Sequence, residues 1–83
     1  MKIAVIGGGS WGTTLADLAA KKGLDARLWV REQAVMNEIR STRENSWYLP
    51  GRKLSENLEV STDPAAVAEG AAHFIFAVPC QFI

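Results

Sequence analysis

The chain has 83 residues, with nine Lys plus Arg set against nine Asp plus Glu. That balance leaves no basic field for nucleic acid or an anionic membrane, so neither is expected as a partner. A hydrophobic fraction of 48% with 22% charged residues excludes a disordered chain, and the length allows one small core and at most one domain.

Lys2–Ile6 (KIAVI) is a continuous apolar, β-branched run, as in a parallel strand buried on both faces. Residues 7–12 (GGGSWG) follow, and residues 11–22 read as a helix with Leu15, Leu18 and Ala19 as its apolar stripe. Lys21 and Lys22 suit the last turn, and Gly23 suits the stop. A second strand is expected over 26–30 and a second helix over 32–43, with Val35, Met36 and Ile39 on one face. Residues 45–53 read as a loop punctuated by Pro50 and Gly51. A short third strand spans 58–61. Asp63 then caps a helix with Pro64 in its first turn, and Gly70 ends it. Residues 73–78 (HFIFAV) form the fourth strand, closed by Pro79.

The order βαβαβαβ makes this an α/β chain with a parallel sheet and right-handed crossovers, a Rossmann-type arrangement. A dinucleotide-binding domain of that type has two such halves. Residues 1–83 supply one half and the first strand of the next, so the expectation is a partial domain, a piece of a larger protein. No neighbour or covering helix is expected for the fourth strand within the chain, and an uncovered edge invites pairing. Cys80 has no partner for an internal disulfide, which fits a reducing compartment. The apolar run before Gly7 is too short for a signal-peptide core, and no run approaches the ~18 apolar residues of a membrane helix. A cytoplasmic location is expected.

Gly7, Gly9 and Gly12 form G-x-G-x-x-G after a strand and at the opening of a helix, the context that gives the motif meaning. Gly7 permits the tight turn, Gly9 lets a pyrophosphate approach the backbone, and Gly12 lets the helix pack close to the strand. The helix start offers N–H groups and partial positive charge, and Ser10 can add a hydroxyl. Glu32 lies about 20 positions after Gly12, where an acid that binds ribose belongs. Arg31 beside it can pair a 2′-phosphate or lie flat on adenine. Glu32 favours NAD and Arg31 accommodates NADP, so the cofactor is NAD or NADP. The plainer reading of both is two solvated charges at a helix start. Trp29 is expected in the core, and Trp47 and Tyr48 are expected to pack the loop against the second helix. His73 and Cys80 have no partner pattern that suggests chemistry.

Four segments, in order along the chain, carry a resemblance: GGGSWGTTLA, LWVRE, ENSWYLPGRKL and FAVPCQFI. Together they resemble NAD(P)-dependent glycerol-3-phosphate dehydrogenases. The string Asn45-x-x-Tyr48-Leu49-Pro50-Gly51 is far more specific than the glycines. The resemblance implies a cytosolic enzyme that interconverts dihydroxyacetone phosphate and glycerol 3-phosphate by hydride transfer. It implies that Gly7, Gly8, Gly9, Ser10, Trp11 and Gly12 hold the dinucleotide, that Arg31 meets the adenosine end, that Phe82 lines the cofactor and that Pro79 shapes the turn carrying it. Cys80 stands where Ser or His is usual in the family. The family's catalytic lysine and substrate-phosphate ligands fall outside these residues, so no catalytic residue is assigned and residues 1–83 alone are expected to be inactive. Implied partners are the dinucleotide and a small phosphorylated substrate, with a homodimer as a possible assembly. Two alternatives stay open: a related two-domain reductase of the hydroxyacid or ketopantoate type, which should lack the Asn45–Gly51 string, and a nucleotide-sensing module without chemistry.

Overall fold

The computed structural model describes residues 2–7, 9–47 and 49–77. Strand β1 (Lys2–Ile6) leads through the glycine turn into helix α1 (Ser10–Lys21), followed by β2 (Asp25–Trp29) and helix α2 (Gln33–Thr42). Two strands, β3 (Glu44–Asn45) and β4 (Leu49–Lys53), come next, then β5 (Glu59–Ser61), α3 (Pro64–Ala68) and β6 (His73–Phe76). The main sheet has the order β5-β2-β1-β6, and all three pairings in it are parallel. The chain steps outward from β1 to β2 to β5, then returns past β1 to lay down β6. The direction of build reverses between β1 and β6, which makes that gap a topological switch point. The Rossmann-type α/β reading therefore holds, with element ends shifted by a residue or two.

The main core lies between the sheet and α1 and α2. Val5, Ala26, Leu28, Val30 and Val60 from the sheet region meet Ala16 and Ala20 of α1 and Val35, Met36 and Ile39 of α2. Burying a side chain such as Leu28 or Ile39 contributes about 1.5–3 kcal/mol. Ala4 and Val67 are also buried but stand outside this cluster. Alternation along β2 puts Leu28 in the main core and Trp29 on the other face. There Trp29 is only half-buried, and its Nε1 donates to the Thr62 carbonyl at 2.9 Å. An indole N–H needs an acceptor, which draws this ring to the sheet's margin rather than into the core expected for it.

Three further expectations are corrected. The segment over 45–53 is not a loop: β3 and β4 pair antiparallel, Glu44 with Lys53 and Asn45 with Leu49, with an irregularity between Glu44 and Asn45. Pro50 is compatible because this is a two-stranded ribbon in which every strand is an edge, and Gly51 supplies a positive φ of 82°. The buried face of α1 is Gly12, Thr13, Ala16, Asp17 and Ala20, whereas Leu18 of the expected stripe is 45% exposed. Close approach of the helix to the sheet and hairpin favours small residues and paired polar ones over bulky leucines. Trp47 is 60% exposed and does not pack the hairpin down. Tyr48 lies outside the described residues. At the sheet's edge, Phe74, Ile75 and Phe76 of β6 are all exposed among the described residues.

Candidate nucleotide site

The glycine turn is fixed by three pieces of chain. Gly7 has φ of 126°, a region L side chains avoid, and its N–H donates to the Trp29 carbonyl at 3.1 Å. A Cβ on Gly7 would meet the Ala77 carbonyl, and one on Gly12 would collide with the Gly7 carbonyl oxygen and approach the Ala77 Cβ at 3.2 Å. Gly7 and Gly12 are thus glycines because backbone fills their side-chain space. Gly9 differs: a Cβ there would meet nothing within 4 Å. The tight turn expected at Gly7 and the close packing expected at Gly12 match this geometry, and Gly9 leaves open space.

Gly9 is also the N-cap of α1, with φ −69° and ψ −178°, and no side chain caps the helix. The first turn holds no acid, and Lys21 stands in the last. Opening N–H groups without a side-chain cap, at the positive end of a helix, attract phosphate oxygens. Ser10 and Trp11 sit in this first turn and are exposed, Trp11 at 68%. The Ser10 carbonyl accepts from Thr14 Oγ1 at 2.7 Å. The open space beside Gly9 and the uncapped helix start form a cradle next to the switch point. Gly8 lies outside the described residues.

Arg31 follows β2, on the side of the switch point away from β6. Its side chain is 82% exposed, and its guanidinium is 3.8 Å from the Glu32 carboxylate, a loose pair. The two residues expected to favour NADP and NAD thus lie side by side, and at this exposure of Arg31 their ion pair contributes little. Pro79 and Phe82, and Cys80 between them, lie outside the described residues. Among the described residues there is no group of three His, Cys, Asp or Glu able to hold a metal, and no helix is long and apolar enough to cross a membrane.

A polar cluster on the flank of α1 was not anticipated from the sequence. Asp17 is fully buried and accepts from Ser55 N at 2.7 Å, from Arg52 Nε at 3.1 Å and from Lys21 Nζ at 2.9 Å. Burial alone would raise the Asp17 pKa, but the Lys21 ammonium, the Ser55 N–H and Arg52 outweigh it and hold the carboxyl below its ordinary value. One turn earlier, buried Asn45 donates through Nδ2 to Thr13 Oγ1 at 3.0 Å. These contacts fasten the β3–β4 hairpin to the helix that opens the glycine turn. The signal was Thr13 and Asp17 at helical spacing with Ala16 and Ala20.

Comparison with known proteins agrees with this geometry. Residues 2–83 match the family model of the NAD-dependent glycerol-3-phosphate dehydrogenase N-terminus. The glycerol-3-phosphate dehydrogenase [NAD(P)+] of Solidesulfovibrio magneticus is 93% identical over 83 residues, which are 100% of this chain and 25% of that protein. The corresponding protein of Maridesulfovibrio salexigens is 55% identical over the same span, again 25% of its length. The crystal structure of glycerol-3-phosphate dehydrogenase from Coxiella burnetii superposes with a TM-score of 0.86 at 38% identity, covering 94% of this chain and 24% of that one. A Plasmodium falciparum glycerol-3-phosphate dehydrogenase structure gives 0.84 at 32% identity, covering 99% and 26%. The chain therefore spans about a quarter of the length of the curated relatives it matches. By motif, sheet order and match over nearly every residue, this chain belongs to the NAD-dependent glycerol-3-phosphate dehydrogenase N-terminus family.

Proposed function

We propose that this chain is the cofactor-holding part of a cytoplasmic dehydrogenase that interconverts dihydroxyacetone phosphate and glycerol 3-phosphate with NAD or NADP. The observation that carries the reading is the α1 start: a glycine N-cap with no side-chain cap and open space at Gly9, beside the switch point. The bound dinucleotide supplies or accepts the hydride. The chain's own residues bind and orient it. Backbone N–H groups of the first turn of α1 take the pyrophosphate, with Gly8, Ser10 and Trp11 bordering it, and Gly7 and Gly12 keep the turn closed against β6. Arg31 meets the adenosine end, and Pro79 and Phe82, outside the described residues, are carried as further cofactor residues on the family resemblance alone. Catalytic and substrate-phosphate groups belong to parts of the protein beyond these residues, and a homodimer is compatible with the scheme.

The test is titration of the intact protein with NADH and NADPH, followed by dihydroxyacetone phosphate. Binding of a reduced dinucleotide, and its oxidation only when dihydroxyacetone phosphate is present, is expected. Binding without turnover would favour a sensing module, and no binding of either nucleotide would end the proposal.

A further inference from the structure

We infer that the β3–β4 hairpin is a wall of the nucleotide crevice, with Trp47 at its tip as the surface on which the adenine base stacks. The inference rests on the dinucleotide reading above. Its basis is the course of the hairpin along α1. Near the root, Asn57 Nδ2 donates to the Ala20 carbonyl at 2.9 Å, and Ser55 N and Arg52 Nε meet Asp17. Nearer the tip, Asn45 Nδ2 reaches Thr13 Oγ1. The contacts climb α1 from Ala20 through Asp17 to Thr13, about 10 Å at the helical rise, toward the Gly9 cradle. On its other side the tip is tied to α2, where Glu38 Oε1 accepts from Ser46 N at 3.1 Å.

Trp47 follows Ser46 directly. The tip it belongs to is tied to α1 through Asn45 and to α2 through Ser46, and the N-terminal ends of these helices carry the glycine turn and the Arg31–Glu32 pair. The indole is 60% exposed, and Trp11 in the first turn of α1 is exposed as well. An indole that covers no core presents a flat face to a flat base, and stacking of this kind tolerates either NAD or NADP. Asp17 and Arg52 are then positioning residues. A fully buried carboxylate gains little net stability from its ion pairs, but Arg52 of the hairpin and Ser55 just past it, both donating to one carboxylate, fix where the hairpin lies.

The experiment is calorimetric titration of the intact protein with NADH, NADPH, AMP and nicotinamide mononucleotide. Trp47→Ala is expected to weaken NADH, NADPH and AMP about ten-fold, the size of one lost stack, and to leave nicotinamide mononucleotide unchanged. Trp47→Phe restores most of the affinity. Arg52→Gln is expected to weaken AMP in the parent but not in the Trp47→Ala background, because it acts through the tip. Unchanged AMP affinity in Trp47→Ala, with a parent that binds NADH normally, overturns the inference and leaves the dinucleotide reading standing. A parent that binds neither dinucleotide overturns both. Additive effects of Arg52→Gln and Trp47→Ala overturn the positioning role.

Discussion

Helices α1 and α3 both begin just past a strand of the same parallel sheet, α1 after β1 and α3 after β5. At α3, Asp63 Oδ1 accepts from Ala65 N at 3.0 Å, and Pro64, which has no N–H, takes the first turn. That start is closed by its own side chains. At α1 the cap is Gly9, with no capping side chain and no acid nearby. Two helix ends on one sheet therefore differ: one is capped by its own side chain, and the other has no side-chain cap. A capping acid placed at α1 would compete for the same N–H groups that a phosphate needs.

Substitutions at the two starts should separate these roles. The largest effect is expected from Gly12→Val, which drives a side chain into the Gly7 backbone. Overpacking of this kind costs about 1–3 kcal/mol, and displacement of the turn should abolish dinucleotide binding; urea denaturation and NADH titration read the two losses. Gly9→Ala splits them. Its Cβ meets nothing within 4 Å and the backbone is ordinary, so the denaturation midpoint should hold. The methyl group would stand where the pyrophosphate approaches, and affinity should fall about ten-fold, the equivalent of one lost charge-assisted hydrogen bond. An unchanged affinity would mean that the open start of α1 is not the phosphate site.

Asp17→Asn tests whether α1 must also be held from the side. Lys21 and Arg52 are partly exposed, which screens the lost pairs, so a destabilisation of about 1–2 kcal/mol at neutral pH is expected. The Asp17 pKa is lowered from 3.8 in the folded chain. Its contribution is therefore present above that value and is lost as pH falls through the lower folded value. Denaturation curves for the parent and Asp17→Asn should converge as the pH drops below 3.8, and a gap that stays constant would refute the assignment. The smallest effect belongs to Asp63→Ala, about 1 kcal/mol for a lost cap. NADH affinity should be untouched, and any change in it would blur the contrast between the two helix starts.

The parts legible in the sequence were those governed by local rules. The Asp63–Pro64 pair announced α3, and the spacing of Gly7 and Gly12 pointed to the tight turn and close packing that their surroundings show. The hairpin was hidden because Pro50 and Gly51 look like loop punctuation, and its pairing depends on Asn45 meeting Leu49 across a bend. The buried face of α1 was misplaced for a related reason. Leu15 and Leu18 are the stronger hydrophobes, but the hairpin lies over Thr13 and Asp17, and only that tertiary contact makes a buried carboxylate tolerable. Trp29 and Trp47 look alike in sequence, yet one finds an acceptor at Thr62 and the other is left open.

Ala77 has a consequence for folding. Its N–H donates to the Ile6 carbonyl at 2.9 Å, and its own atoms lie against the side-chain space of Gly7 and Gly12. The glycine turn thus acquires its final shape only after β6 has joined β1, a closure between residues far apart in the chain. If a nucleotide occupies this turn as proposed, its binding and the docking of β6 are linked equilibria, and each favours the other by mass action. Amide hydrogens in His73–Phe76 should then exchange more slowly in step with nucleotide concentration.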